Sequence, residues 1–273
     1  MRLAWASDVH FDFVDDDHVR ALCARISDSD VDALLLGGDV AVASTVLDWV
    51  ARLSRYLARP VHFVLGNHDY YRGSVSEVRA RAAALPSPCH WLPARGPTEL
   101  EPGLGLVGHG GWGDGRVGDF LRSPVLLNDY RLIEELAVAR FEREALLPLL
   151  RAYGDDAAAT LGPHLDQAAA RFRRVIVLTH VPPWREACWH EGQLSNDDWA
   201  PGFVCGATGA RIAAAAAAHP HVQWTVLCGH THSPGFARLT PNLVAHTIGA
   251  LYGEPAFAVL DTDDLDAFRA PGA

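Results

Sequence analysis

Two histidines two residues apart, His230 and His232, are the side chains whose type and spacing most directly suggest chemistry in this sequence. They follow an apolar run at residues 226–228 and then Gly229. Side chains on extended backbone alternate between faces, so residues i and i+2 point the same way. Paired imidazoles at the end of an apolar strand are typical of metal ligands. The pair therefore predicts a metal site.

Four other apolar runs end in polar side chains of a similar kind. These runs cover residues 2–7, 33–36, 61–65 and 175–179. The polar residues that follow them are Asp8 and His10, then Asp39, then Asn67, His68 and Asp69, and last His180. Alone, Asp8 or Asp39 would also fit a helix cap, and Asn67 would fit a turn. Five such endings in one chain favour a shared binding site.

Short buried strands must position these residues. Continuous apolar runs of this length are typical of strands that are buried on both faces. Helix-like segments separate most of them, which indicates βαβ units with parallel strands. In open α/β sheets the ligand site lies outside the carboxyl ends of the strands. The sequence therefore predicts an α/β fold that brings the polar residues to one edge.

The ordered motifs resemble those of the calcineurin-like metallophosphoesterases. The motifs are Asp8-x-His10, Gly38-Asp39, Gly66-Asn67-His68-Asp69, His180 and Gly229-His230-x-His232, which together span most of the chain. The resemblance implies an α/β four-layer sandwich of two mixed β-sheets flanked by helices, with the metal site at the carboxyl-terminal ends of the strands. It also implies a binuclear metal-dependent phosphoesterase. Such an enzyme would hydrolyse a phosphomonoester or a phosphodiester by attack of a metal-bridging hydroxide.

The same resemblance implies a role for each residue. The ligands of the first metal would be Asp8, His10 and His232, and those of the second metal would be Asn67, His180 and His230. Asp39 would bridge the two metals. His68 would be the catalytic group that gives a proton or a hydrogen bond to the leaving oxygen. Asp69 would fix the orientation of His68.

The chemistry of the proposed ligands agrees with those roles. All of the donor atoms are nitrogen or oxygen, which suits two divalent or trivalent transition-metal ions such as manganese, iron or zinc. Two ions about 4 Å apart can clamp the attacking and leaving oxygens of an in-line displacement. Asp8 and Asp39 are the carboxylates of the set, so two divalent ions would keep roughly two positive charges before the bridging hydroxide is counted, which suits an anionic phosphate. Asn67 would bind through its amide oxygen without cancelling charge.

The motifs leave the substrate open. Protein Ser/Thr phosphatases of the superfamily carry Asp-Arg-Gly after the bridging Asp, whereas Val40 and Ala41 follow Asp39 here. This departure argues against a protein phosphatase, and phosphodiesterases and small-molecule phosphatases remain. An alternative of a different class is a non-catalytic metal-binding interaction module on the same fold. Retention of His68 and of every ligand argues against that alternative.

Composition predicts a soluble enzyme. The 273 residues carry a net charge of −10, which argues against broad nucleic-acid binding because such binding needs basic patches. No leader-like stretch or bilayer-length apolar run is present, and the five cysteines are scattered without CxxC. These features predict a cytoplasmic protein without a membrane partner. We expect one domain over residues 1–273 with a helical insertion around 130–172, and the oligomeric state is open.

Two loops are candidates for substrate selection, at residues 110–128 and 181–203. They offer Arg116, a fixed cation for phosphate, and the flat side chains of Trp112, Trp184 and Trp199. We expect these loops to form a lid over a small phosphorylated or nucleotide-like substrate. The alternative is that the tryptophans only pack the loops onto the body. The glycine-rich stretch 110–118 is accordingly either a mobile surface loop or part of that lid.

Overall fold

The computed structural model describes residues 1–265 and Phe268. In that part of the chain the strands are β1 (Arg2–Ala6), β2 (Ala33–Leu36), β3 (Val61–Phe63), β4 (Cys89–Trp91), β5 (Thr98–Glu101), β6 (Leu104–Gly108), β7 (Arg174–Leu178), β8 (Trp189–His190), β9 (Gln193–Leu194), β10 (Gln223–Cys228), β11 (Gly235–Thr240), β12 (Leu243–Thr247) and β13 (Ala258–Asp261). The α-helices are α1 (Asp16–Asp28), α2 (Val46–Leu57), α3 (Val75–Ala83), α4 (Asp129–Leu132), α5 (Glu134–Ala137), α6 (Arg143–Arg171), α7 (Ala200–Phe203) and α8 (Gly206–Ala218).

Most of the strands belong to two large mixed sheets. The first sheet has the order β13–β1–β2–β3–β4, and the second has the order β11–β12–β10–β7–β6–β5. In the first sheet β1 to β4 are parallel and β13 is antiparallel to β1. In the second sheet β6, β7, β10 and β12 are parallel, and β5 and β11 are antiparallel edge strands. The pair β8–β9 forms a separate small hairpin.

The two sheets pack on each other through a largely apolar layer. Trp5 and Leu35 of the first sheet and Ile176 and Leu227 of the second belong to this layer and are buried. Burial of each such side chain stabilises the fold by about 2 kcal/mol. On the outer faces, apolar residues of α1 and α2 cover the first sheet, and those of α6 and α8 cover the second. This arrangement confirms the expected sandwich of two mixed sheets flanked by helices.

The five apolar runs form strands at the expected positions. They correspond to β1, β2, β3, β7 and β10. The first three belong to one sheet and the last two to the other. The polar residues after them therefore meet across the ends of two packed sheets, and not along one edge of a single sheet. Continuous burial of these strands on both faces explains why their sequences lack alternation.

The region expected to be helical around residues 130–172 contains three helices. Two short helices, α4 and α5, come first, and then α6 runs unbroken through Gly154 and Pro163. Leu146, Leu161 and Leu165 of α6 are buried, and this packing outweighs the local preference of glycine and proline to end a helix. Although α6 is long, no helix among the described residues is apolar enough over a sufficient length to cross a membrane.

Candidate metal centre

The candidate ligands lie in the turns that directly follow five strands. Asp8 and His10 follow β1, Asp39 follows β2, Asn67 follows β3, His180 follows β7, and His230 and His232 follow β10. Five of these residues have left-handed backbone, with φ of 56° at Asp8, 41° at His10, 52° at Asp39, 71° at His230 and 58° at His232. Such angles are uncommon for residues other than glycine, and backbone strain of this kind concentrates at functional sites. The backbone of these turns is therefore strained, and this conformation directs the polar side chains toward one point.

Two glycines allow these turns to approach each other closely. A Cβ atom at Gly66 would collide with Oδ1 of Asp39, and one at Gly229 would collide with Oδ2 of Asp8. Backbone from one turn therefore fills the space beside a carboxylate of another turn, and a side chain at either glycine would displace that carboxylate. The glycines of the two motifs are part of the geometry of the site.

Three of the ligands form what we call the first cluster: Asp8, His10 and His232. Nε2 of His10 lies 3.2 Å from Nε2 of His232, and the latter lies 3.4 Å from Oδ1 of Asp8. The backbone N–H of His230 donates to both carboxylate oxygens of Asp8, each at 3.0 Å. The three donor atoms are thus close enough to share one cation.

The second cluster consists of Asn67, His180 and His230. Nε2 of His180 lies 3.1 Å from Oδ1 of Asn67 and 3.1 Å from Nδ1 of His230. The other ring nitrogens face carbonyl oxygens, with His180 Nδ1 at 3.0 Å from Gly37 and His230 Nε2 at 3.1 Å from Gly202. Since a carbonyl can only accept, those outer nitrogens carry the protons. In the neutral rings the two inner nitrogens then present lone pairs, and with the amide oxygen they form a set of acceptors around one point.

Asp39 lies between the two clusters. Its Oδ1 is 3.3 Å from Nε2 of His180 in the second cluster, and its Oδ2 is 3.9 Å from Nε2 of His10 in the first. The backbone N–H of His68 donates to Oδ1 at 2.9 Å and fixes the carboxylate. Asp39 therefore offers one oxygen to each side, which is the geometry of a bridging ligand.

Protonation of the rings fits cation binding. Burial, followed by the proximity of His180, lowers the pKa of His230 to about 3, and burial lowers the pKa of His10 to about 4. These two rings are neutral near pH 7 and can bind metal. Burial disfavours the charged form of His180, but Asp39 and Asp8 outweigh it and raise its pKa to about 9. The carboxylates thus demand positive charge at this point, which a metal ion would supply in place of the proton.

The donor set fits two metal ions of the transition series. It contains imidazole nitrogens, carboxylate oxygens and one amide oxygen, and a shared carboxylate joins its two halves. Nδ1 of His10 is buried and has no hydrogen-bond partner among the described residues. Its Nε2 faces both His232 and Asp39, so a cation at the first cluster would satisfy the ring from that side. The arrangement divides the ligands into the two sets that the sequence predicts.

His68 lies beside the donor set without belonging to either cluster. Its ring stacks on Tyr71 with centroids 4.2 Å apart and contacts the ring of His10 at 4.6 Å. One of its nitrogens is also near His10 and Asp39, within reach of a shared ion. His68 lines the cavity in front of the site, where it can reach a substrate.

The expected role of Asp69 disagrees with its position. Its carboxylate is fully buried and turned away from the ring of His68 toward backbone. It accepts hydrogen bonds of 2.7–3.1 Å from the N–H groups of Gly66, Asp39, Val40 and Ala41. Asp69 therefore fastens the turn after β2 to the turn after β3 and so positions Asp39. It is not the orienting partner of His68, because both of its carboxylate oxygens accept from backbone N–H groups instead.

A cavity of about 500 Å³ opens in front of the ligands. Its walls come from four segments outside the motifs: residues 124–129, His190 with Trp199 and Phe203, Tyr71, and Tyr252. The loops 110–128 and 181–203 thus both reach the cavity, but through residues that the sequence did not single out, apart from Trp199. No motif marks Tyr252, and only its position shortly after an apolar strand could have suggested it.

The other proposed substrate residues lie elsewhere. Trp112 is buried and stacks on Tyr153 with centroids 4.6 Å apart. Arg116 pairs with Asp114 at 3.0 Å and Asp155 at 2.7 Å. None of the three proposed residues Trp112, Arg116 and Trp184 lines the cavity.

These residues hold the loops to the body of the protein, which is the packing alternative. Trp184 packs against the core beside the second sheet. Residues 110–115 of the glycine-rich stretch are buried, which favours packing against the body over a mobile surface loop or a lid for that part. A Cβ at Gly113 would meet the backbone of Gly202, so close packing between two chain segments explains that glycine.

An outer network holds Asn67. Its Nδ2 donates to Oδ1 of Asp129 at 2.9 Å and to the hydroxyl of Tyr71 at 3.3 Å. Burial raises the pKa of Tyr71, so its hydroxyl keeps its proton and donates to Asp129 at 2.6 Å. Because the amide nitrogen is engaged on this side, the amide oxygen of Asn67 faces the second cluster. Asp129 had no motif to mark it.

Fold and donor set together define a metal-dependent hydrolase. The chain belongs to the calcineurin-like phosphoesterase family, whose model matches residues 1–234. It is similar in structure to a dimetal phosphatase from Danio rerio, with 14% identity, coverage of 95% of this chain and 91% of that chain, and a TM-score of 0.57. It is also similar to the phosphopantetheinyl hydrolase of Mycobacterium tuberculosis, with 16% identity, coverage of 96% of each chain and a TM-score of 0.60. No curated protein sequence matches this chain.

Proposed function

We propose that this protein is a binuclear phosphoesterase whose two metal ions share Asp39. The observation that carries the proposal is the pair of donor clusters joined by one carboxylate, at the base of a cavity. Manganese, iron or zinc would suit these nitrogen and oxygen donors. When bound, the metals would supply the Lewis acidity that polarises a phosphoryl group and activates water for attack.

The side chains of this chain would divide the remaining work. Asp8 supplies a carboxylate to the first cluster and Asp39 directs one oxygen to each cluster, while the histidines direct ring nitrogens at the donor set. Asn67 adds an oxygen without adding negative charge, so the site keeps positive charge for an anionic substrate. Burial of Asp39 and His180 excludes water from the base of the cavity, which strengthens electrostatic interactions there.

His68 would transfer a proton to the leaving oxygen. It is the histidine that lines the cavity next to the donor set while standing outside both clusters. The stacked ring of Tyr71 and the adjacent ring of His10 restrict its orientation. A positioned general acid contributes about a hundredfold or more to rate.

The test is a metal assay combined with turnover. The purified protein, supplied with manganese, should contain transition metal by elemental analysis and should release p-nitrophenol from an aryl phosphate ester. Absence of metal after reconstitution with manganese, iron and zinc would overturn the proposal. Metal without any turnover on phosphomonoesters or phosphodiesters would instead favour the non-catalytic metal-binding module.

The setting we propose is the cytoplasm, with a small phosphorylated or nucleotide-like substrate and one domain over residues 1–273. All five cysteines are buried and carry free thiols, which is consistent with a reducing compartment. Localisation of a tagged protein tests the compartment. Export of the protein, or disulfide bonds in the protein isolated from cells, would contradict a cytoplasmic setting.

A further inference from the structure

The cavity has aromatic side chains at each end of the donor set. At the end of the first cluster, the ring of Tyr252 lies 4.5 Å from that of His10 and 4.9 Å from that of His232. Tyr252 is 51% exposed although it packs on these rings. One face of a large ring is therefore presented to the cavity beside the first cluster.

At the end of the second cluster, Phe203 contacts the ring of His230 at 5.0 Å. Trp199 stacks on Phe203 with centroids 5.1 Å apart, and His190 packs on Trp199 at 4.5 Å. This second wall comes from the loop after β7, whereas Tyr252 comes from the loop after β12. Two independent segments thus place flat surfaces on opposite ends of one set of donor atoms.

The third side of the cavity is apolar as well. Residues 124–127 are proline, valine and two leucines, and all four line it. Leu126 is 56% exposed. Exposing a large apolar side chain to water is unfavourable, and a bound ligand that covers Leu126 would remove that cost.

The part of the cavity wall that the structure describes has no lysine or arginine to receive a second anionic group. Among the described residues that line it, none is lysine or arginine, and the carboxylates are Asp39 and Asp129. Arg116, the cation that the sequence suggested, is engaged with two carboxylates elsewhere. One phosphate charge can be met by the metals, but a further phosphate or carboxylate on the substrate would face apolar rings and acidic oxygens.

We propose that the substrate is a phosphodiester with two uncharged, ring-bearing groups, one lying against Tyr252 and the other against Trp199 and Phe203. The proposal rests on the proposed function and adds the substrate class. A diester carries one negative charge and an organic group on each side of phosphorus. These features match a donor set with an aromatic wall at each end and no additional cation.

The position of His68 decides which group leaves. Its ring is 6.5 Å from that of Tyr252 and contacts His10 of the first cluster, so the leaving group lies at the Tyr252 end. Water adds to phosphorus, the phosphorus–oxygen bond to that group breaks, and one proton from water reaches the leaving oxygen by way of His68. The products are an alcohol and a phosphomonoester, whose remaining group lies at the Trp199 end.

The experiment compares three substrates that share the p-nitrophenolate leaving group: p-nitrophenyl phosphate, methyl p-nitrophenyl phosphate and phenyl p-nitrophenyl phosphate. With the manganese-loaded full chain, kcat/KM should be about tenfold or more higher for the phenyl diester than for the monoester. Trp199→Ala should shrink the phenyl-to-methyl ratio by about fivefold, the usual size of an aromatic contact. Comparing ratios between enzyme forms cancels the intrinsic reactivity of the substrates.

Matched control variants distinguish the loss of a substrate contact from a general effect of the substitution on folding. Trp184→Ala removes a half-buried tryptophan of the same loop that does not line the cavity, and it should leave the phenyl-to-methyl ratio unchanged. Tyr252→Ala should raise KM for both diesters equally, because both place the same leaving group there. Tyr56→Ala, at a partly exposed tyrosine outside the cavity, should leave KM unchanged.

A variant that adds a positive charge to the cavity tests the inference even if Trp199→Ala does not fold. Leu126→Lys adds a cation at an exposed position of the cavity and should raise kcat/KM for the dianionic monoester several-fold relative to the phenyl diester. Leu121→Lys, at an exposed leucine of the same loop outside the cavity, should not.

The outcomes distinguish this inference from the proposed function. A wild-type preference for the monoester, or an equal loss on both diesters in Trp199→Ala, would overturn the inference and leave a phosphoesterase. If the protein cleaves none of the three esters and also binds no metal, both the proposed function and this inference are overturned.

Discussion

The two clusters of the metal centre are built differently. In the second cluster each ligand is fixed from behind: His180 and His230 donate to backbone carbonyls, and Asn67 donates to Asp129 and Tyr71. In the first cluster the outer nitrogen of His10 has no partner among the described residues. The side chain of His232 is 23% exposed, whereas that of His180 is fully buried.

This difference has a consequence for affinity. Hydrogen bonds behind the ligands hold them in place before the metal arrives and raise their basicity. The second cluster has such bonds at every ligand, so we expect it to bind its metal more tightly and exchange it more slowly. His232 of the first cluster is more exposed than any ligand of the second, so metal bound to the first cluster has the nearer route to solvent.

The largest effect should come from the residue that both clusters share. Asp39→Ala removes an oxygen from each cluster and leaves neighbouring histidines without their carboxylate, so both metals should be lost. Activity should fall by about a thousandfold or more, because the Lewis acid and the activated water go together. Elemental analysis and the rate on an aryl phosphodiester measure this, with exposed Asp28→Ala as the control. Retention of a full metal complement would mean that Asp39 does not bridge.

His68→Ala should leave both clusters intact. It stands outside them, so metal content should remain near wild type while kcat falls by about a hundredfold. A substrate with a better leaving group should recover part of the loss, since such a group needs less protonation. Loss of metal in this variant would place His68 among the ligands and weaken the division between ligands and catalyst.

A smaller effect is expected from the network behind Asn67. Asp129→Ala removes the acceptor that holds the amide, so metal affinity at the second cluster should fall by about 10- to 100-fold with the first cluster unchanged. Asp129→Asn retains an acceptor oxygen and should restore most of the affinity. Tyr71→Phe, which keeps the ring stacked on His68, should cost less still. Equal weakening of both clusters by Asp129→Ala would contradict the assignment of this network to one side.

The positions of the candidate metal ligands were predictable from sequence because each depends on local features. A short apolar run forms a buried strand, and the residues in the next turn are delivered to its carboxyl end. Glycines such as Gly66 and Gly229 mark the tight turns. Pairing of the ligands into two sets followed from the family resemblance, and the distances in the structure agree with it.

The walls of the cavity were not predictable in this way. Trp112 and Arg116 have side chains suited to substrate binding, but their positions depend on α6, whose Tyr153 and Asp155 engage them. Tyr252 reaches the site from the other end of the chain without a motif. Asp69 is adjacent to His68 in sequence, yet its carboxylate binds backbone N–H groups of two turns. Residue type alone does not say which neighbour a loop side chain will meet.

Stepwise removal of metal tests the central claim, two metal ions on either side of Asp39, most directly. The protein loaded with manganese should contain two ions per chain, and a chelator should release them in two phases. His232→Ala should abolish the fast phase and keep one slowly released ion, because it disrupts the more accessible first cluster only. A wild-type protein that holds at most one ion per chain under saturating metal would contradict the account.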